Sequence, residues 1–285
     1  MPPKRPNFKK RKKAASFDGD SNPLAFAVND RDRNVMAMVK TALDHEQAML
    51  AFQPVVQSAA PDRVAFYEGL IRVRDHTGRV IPAKDFMNSV EDTEIGRRID
   101  CLALELGLRE LALEPSLRLS INMSARSVGY QPWNAVLEAG LQRDPTVAER
   151  LILEITESSA IAMPELVMSF MDGLQARGVS FALDDFGAGF TSFRYLRDFF
   201  FDILKIDGQF VHGVHADPDN QVLLQALVTI GQHFEMFTVA EFVQDAADVA
   251  YLQSIGIDCL QGYLFGVPTI SPAWRGQDQD QKMRA

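Results

Sequence analysis

The chain has 285 residues and a net charge of −9, with 47% hydrophobic and 24% charged side chains. That composition belongs to a folded globular protein and excludes a disordered or collagen-like chain. No run of about 18 apolar residues offers a membrane-spanning helix, and two cysteines, Cys101 and Cys259, are too few for a disulfide framework and fit a reducing compartment.

The charge is unevenly spread. Residues 1–13 hold seven basic side chains (Lys4, Arg5, Lys9, Lys10, Arg11, Lys12 and Lys13) and no acid. The other 272 residues carry 22 basic and 38 acidic side chains, a balance of −16. Such an acidic body argues against a broad nucleic-acid surface. The opening stretch lacks the apolar run of a secretory leader, so a cytoplasmic location is expected. Its prolines and charge run predict a disordered basic tail over residues 1–24. That tail is read first as a solvated segment and second as an electrostatic hook for anionic lipid or nucleic acid.

Val35, Met36, Met38, Val39, Ala42 and Leu43 recur at helical spacing and predict an amphipathic helix over 30–48. From Leu50 onward short apolar runs alternate with helical patterns. Strands are predicted at 50–56, 65–73, 118–124, 150–157, 180–186, 202–207, 237–243 and 259–265. Helices are predicted at Ile95–Leu113, Glu165–Arg177, Asn220–Phe234 and Asp245–Ile255. This alternation predicts an α/β fold, a TIM-like (β/α)8 barrel, although a doubly wound sheet would alternate in the same way. The link Gln57–Val64 is too short for a crossover helix, so the first two strands are expected to be antiparallel. The barrel domain is placed at 25–275, with a polar C-terminal tail at 276–285.

The informative feature is where polar side chains interrupt these apolar strands. Glu68, Asn122, Glu154, Asp184, Lys205, Glu241 and Gln261 each fall in or near the end of a different strand. Residues two apart share a strand face. Ile152 therefore goes with Glu154, Ala182 with Asp184, Ile203 with Lys205, Val239 with Glu241 and Cys259 with Gln261. In a barrel that face points to the lumen, and the strand ends converge on the mouth where barrel enzymes keep their chemistry. Convergence would gather Glu68, Glu154, Asp184, Asp185 and Glu241 around one lysine, an arrangement that buried like charges tolerate only by protonation or with counter-ions. An all-oxygen set suits hard cations such as Mg2+ or Mn2+, and two of them imply displacement at a phosphorus centre. His212 and His215, three apart, lack a third soft ligand and are not read as a metal site. Phe199, Phe200 and Phe201 are open to either core burial or an interface.

The segments FQPVV, EGL, SINMS, LEITE, LDDFGAGF, ILKID, VAEFV and QGYLFGVP, in that order, resemble the EAL-domain family of cyclic-di-GMP phosphodiesterases over about residues 30–270. The resemblance implies a TIM-like barrel with one antiparallel strand and hydrolysis of cyclic di-GMP to linear pGpG in bacteria, with two metal ions. It implies Glu68, Asn122, Glu154 and Asp184 around one metal, and Asp184, Asp185 and Glu241 around the other. Lys205 matches the lysine that holds the attacking water. Gln53, Arg72 and Gln261 match positions near the substrate, and Glu157 the glutamate that braces the loop after the tandem aspartates. A homodimer is also implied. Three departures stand out: Gly69 in the signature, Ala188 and Phe190 in the loop after the aspartates, and Phe242 and Gln244 after Glu241. They leave a catalytically impaired receptor, or an interaction module, as the alternative.

Overall fold

The computed structural model describes residues 23–187 and 196–275. Most of the expected basic tail, the loop residues Ala188 and Phe190, and the expected polar C-terminal tail lie outside them. A helix α1 (Pro23–Asp44) leads into strand β1 (Ala48–Gln57). Val39, Ala42 and Leu43 are buried, as the apolar spacing requires. Ser58 and Ala59 then turn the chain into β2 (Ala60–Arg74), which pairs antiparallel with β1 from Ala48↔Val73 to Gln57↔Ala60. The short link thus makes a hairpin, as expected. A three-residue strand β3 (Val80–Pro82), not anticipated, adds to the outer edge of β2.

Six further strands follow: β4 (Leu119–Asn122), β5 (Leu151–Thr156), β6 (Ser180–Phe186), β7 (Ile203–Ile206), β8 (Phe237–Ala240) and β9 (Cys259–Gln261). The sheet order is β1-β9-β8-β7-β6-β5-β4-β2-β3, and the β1–β2 pairing closes eight of these strands into a barrel. β2 and β4 through β9 run parallel to one another; β1 is antiparallel to both β2 and β9, and the edge strand β3 is antiparallel to β2. The short helix α2 (Met87–Val90) and the long α3 (Glu94–Leu113) lead from β3 to β4, and longer helices, among them Pro164–Gln175, Pro218–His233 and Ala246–Ser254, connect later parallel strands. Each begins where its sequence says it should. Thr93 Oγ1 caps α3 by accepting from Ile95 N, and Asp217 caps the helix that opens on Pro218.

The lumen is layered. Val55, Phe66, Ile152, Ala182, Ile203, Val239 and Cys259 form a separate buried cluster. In the parallel strands these are the residues two before the polar ones, so the predicted facing holds strand by strand. The opposite faces pack outward. Ile121 of β4 fills the space that a Cβ would take at both Gly69, 2.7 Å from its Cδ1, and Gly107 of α3, 2.8 Å from it. The glycine in the EGL signature therefore makes room for this isoleucine. Gly69→Ala is expected to cost about 1–2 kcal/mol by overpacking, and close to nothing in an Ile121→Val background, where the clashing methyl is gone. Denaturant midpoints of the four chains check this, and an equal cost in both backgrounds would refute it.

After β9 the chain crosses the outside of β1. Thr269 bridges Phe52 in both directions (2.8 and 3.0 Å), and Trp274 packs edge-on against Phe52 and Tyr67. Arg275 forks onto buried Glu110 of α3 at 2.6 and 3.1 Å. Phe199 and Phe201 are buried while Phe200 is 72% exposed, so that triplet is mostly core. His215 is occupied by Asp248 at 2.7 Å rather than by a metal-ligand geometry.

Candidate active site

Lys205, in the middle of β7, is 1% exposed. A buried ammonium must be paired, and this one is paired four times over. Its Nζ lies 2.6 Å from Glu154, 2.9 Å from Asp184, 3.0 Å from Glu241 and 3.4 Å from Glu68. The four carboxylates come from β5, β6, the end of β8 and β2. The parallel register places Asn122 opposite Glu154 but steps by two residues on either side, with Glu68 opposite Ser120 and Asp184 opposite Thr156. Such a stagger, with the tilt of barrel strands, brings side chains of successive strands to one height in the lumen. All sit above the apolar lumen layer; Glu154 and Asp184 lie near the carboxyl ends of their strands, Glu241 just past β8, and Glu68 in the middle of the long β2.

The neighbours of Glu68 are donors. Asn122 Nδ2 reaches its Oε1 at 2.8 Å and Gln261 Nε2 its Oε2 at 2.6 Å. Gln261 also lies 3.4 Å from Gln53 Oε1, and Gln53 Nε2 donates to the Gly266 carbonyl at 3.1 Å. Gln53, Asn122 and Gln261 thus join the same network. Arg72, two positions of like parity beyond Glu68, is half-buried. Burial lowers its guanidinium, while Glu68, Tyr263 and Asp85 oppose that shift.

One lysine cannot neutralise this ring: with all four carboxylates ionised the balance is −3, and an ionised Asp185 takes it to −4. The protonation pattern follows. Burial alone would raise Glu68, but Lys205, Gln261 and Asn122 outweigh it and keep that carboxyl below its ordinary range. Burial, Glu68 and Asp184 push Glu154 up to about 8, with Lys205 opposing. Glu241 is raised well above its ordinary value, by burial first and then by Asp184 and Glu68. Asp185 is raised to about 6 by burial and Asp184. Burial works against the Lys205 charge, yet the four carboxylates hold it well above its usual range.

The donor set fits a divalent cation. Oxygen atoms of Asp184, Asp185 and Glu241 all come within 4.8 Å of one another. Glu154 Oε1 and Gln261 Oε1 are buried with no hydrogen-bond partner, and Asp184 Oδ1 meets only the Lys205 ion pair. Buried oxygens left without donors are costly, and hard cations are what anionic oxygen clusters bind.

Two of these positions depart from regular backbone. Asp185 (φ 55°) and Phe242 (φ 56°) are left-handed without being glycine, immediately after Asp184 and Glu241. The first coincides with an irregularity in β6–β7 pairing between Leu183 and Phe186. Here the strands expected at 237–243 and 259–265 end early, at Ala240 and Gln261, so Glu241 stands just past its strand. The turn after the aspartates is held from both sides: Gly187 N donates to Glu157 Oε2 at 3.3 Å, and Gln209 Nε2 donates to Gly187 O at 3.0 Å. Glu157 therefore contacts the loop it was expected to support. Gln209 and Asp100 were missed. Asp100, buried in α3, accepts from Ser124 N (3.0 Å) and Ser127 Oγ (2.6 Å) and so anchors the turn after Asn122. Nothing local in the sequence marks it, since its partners lie 24 and 27 residues away.

The molecule is thus an eight-stranded α/β barrel whose lumen ends in an acidic, lysine-centred pocket suited to cations. The family profile for the EAL domain matches residues 36–268, and the chain belongs to that family. It is 30% identical over 234 residues to a "Cyclic di-GMP phosphodiesterase PdeB" of Shewanella oneidensis, covering 81% of this chain and 27% of that protein. It is 30% identical over 258 residues to a "Cyclic di-GMP phosphodiesterase PdeR" of Escherichia coli, covering 88% of this chain and 38% of that one. The chain therefore spans well under half the length of these curated relatives. Among solved structures, "PaMucR Phosphodiesterase, c-di-GMP complex" superposes with a TM-score of 0.76 at 28% identity, over 84% of this chain and 98% of that one. No described helix is long and apolar enough to cross a membrane.

Proposed function

We propose that this chain is a cyclic-di-GMP phosphodiesterase that hydrolyses its substrate to linear pGpG. The observation that carries the reading is the convergence of Glu68, Glu154, Asp184 and Glu241 on the single buried ammonium of Lys205. The relatives named as phosphodiesterases, and a structural neighbour described with c-di-GMP, support the choice of substrate. Glu68, Asn122, Glu154, Asp184, Asp185 and Glu241 would hold two Mg2+ or Mn2+ ions. When bound, these would supply charge compensation and electrophilic activation of the phosphodiester.

The chain's own residues do the rest. Lys205 orients a water for in-line attack and offsets charge that develops on the phosphoryl oxygens. Arg72 is suited to a bidentate hold on a phosphate. Gln53 and Gln261 present amides beside Glu68 for contact with substrate, and Glu157 and Gln209 fix the turn that carries Asp185. The impaired-receptor alternative keeps the same pocket without turnover. A homodimer, the barrel boundaries at 25 and 275, and a tail that touches anionic lipid or nucleic acid are further proposals, carried by the resemblance and by charge.

The test is chromatographic detection of pGpG after incubation with cyclic di-GMP and Mg2+ or Mn2+. Chelator-sensitive turnover, lost by about a thousandfold in Glu68→Ala, is the expected result. Binding without turnover would replace the enzyme with the receptor, and neither binding nor turnover would refute both.

A further inference from the structure

Helix α3 turns two acids into the core, Asp100 and Glu110, and they are satisfied differently. Glu110 is matched by the Arg275 guanidinium at 2.6 Å. Asp100, 5% exposed, meets neutral donors instead: its Oδ2 accepts from Ser124 N at 3.0 Å and from Ser127 Oγ at 2.6 Å. Both bonds fall on one oxygen, and both donors belong to one turn. Burial pushes the Asp100 carboxyl up to about 6, with Ser127 and Ser124 opposing. A group raised in this way contributes stability below its ordinary value that is lost as pH rises through about 6. At neutral pH the ionised side chain therefore works against the fold, and stability is a poor reason for an acid at this position.

What Asp100 holds is the exit of β4, which ends at Asn122. Met123 N donates to Glu154 O at 2.9 Å, Ser124 N to Asp100, and Ala125 N to Ser159 Oγ at 2.8 Å. Three successive amides are thus taken by three different neighbours: β5, α3 and the helix Glu157–Ala162. Buried backbone donors need such partners, and together they fix the peptide planes that follow Asn122. The Asn122 side chain is committed in turn, because its Nδ2 donates to Glu68 Oε1 at 2.8 Å. That bond uses the nitrogen end and leaves the carbonyl oxygen, the end of an asparagine that a hard cation takes.

We propose that Asp100 is a positioning residue for the cation site: by holding the turn Ser124–Ser127 it sets where the Asn122 amide oxygen stands, and so how tightly the ion beside Glu68, Glu154 and Asp184 is bound. The proposal rests on the reading of these oxygens as a cation site. Groups one step behind metal ligands commonly govern metal affinity by about 10–100-fold.

Calorimetric titration of Mn2+ at pH 7 into cation-free wild type, Asp100→Ala, Asp100→Asn, Asn122→Ala and the double alanine variant tests it. Asp100→Ala is expected to weaken one ion about tenfold. Asp100→Asn keeps an oxygen where both donors point and should restore most of the affinity. In the Asn122→Ala background, alanine at 100 should cost less than about twofold, because the ligand through which Asp100 acts is gone. A general loosening of the fold would instead weaken binding equally in both backgrounds. If Asp100→Ala does not fold, Ser127→Ala removes one of the two donors and enters the same cycle, with a smaller loss that again disappears without Asn122. An unchanged affinity in the variant that completes the cycle, an equal loss with and without Asn122, or an asparagine variant as weak as the alanine would overturn the proposal and leave the cation site standing. A wild-type chain that binds no Mn2+ would overturn both.

Discussion

Lys205→Met is expected to unfold about 10 °C below the wild type when both are freed of divalent cations, and to form no measurable pGpG. Methionine keeps most of the lysine volume, so the loss is electrostatic. Four carboxylates within 3.4 Å of the ammonium would be left with no positive partner. Breaking one buried ion pair costs about 3–5 kcal/mol, and in a domain of this size each kcal/mol lowers the midpoint by roughly 2–4 °C. The cost should be strongly non-additive: Glu154→Gln removes the carboxylate nearest to the ammonium, and the double variant should recover part of the lost stability. Thermal melts of the four chains check this. A Lys205→Met midpoint within about 2 °C of wild type would mean that the ring is not held by this ammonium.

Cation-free protein should lose stability steadily as pH rises from about 6 to 9, and added Mn2+ should remove most of that slope. The sign follows from raised carboxyls. Glu154 sits at about 8 in the fold, against an ordinary value of 4.5, and Glu241 is raised as well. A group raised in this way contributes stability that is full below about pH 4.5 and is lost as pH passes through the folded value near 8. Cations compete with those protons, so the midpoint gain on adding Mn2+ should grow between pH 6 and 8. Glu154→Gln cannot ionise and should flatten the cation-free slope. Melts at pH 6, 7 and 8, with chelator or with Mn2+, read the effect. A gain that is absent, or equal at every pH, would contradict it.

The barrel and its centre were legible because period-two patterning carries two messages at once. An apolar residue at i−2 and a charged residue at i on the same face, as in Ile152 with Glu154 or Ile203 with Lys205, place both in the lumen whatever the neighbouring strands do. The hairpin at Ser58 and Ala59 was legible from link length alone. Other features leave no such trace. β3 is three residues on an edge, too short for a period. β8 and β9 stop early because the chain after Ala240 and Gln261 turns to form the rim, and Phe242 takes a left-handed conformation that no propensity for phenylalanine would suggest. Asp100, Gln209 and the Arg275–Glu110 pair act across 22 to 165 residues of chain, a distance that only the closed fold resolves.

Calorimetric titration of Mn2+ into cation-free wild type and Glu154→Gln asks whether the buried carboxylates are a cation site before any substrate is involved. Saturable binding of two ions per chain is expected, with proton release at pH 7, and loss or marked weakening of at least one of them in Glu154→Gln. Absence of saturable binding at millimolar Mn2+, or identical isotherms for the two chains, would contradict it.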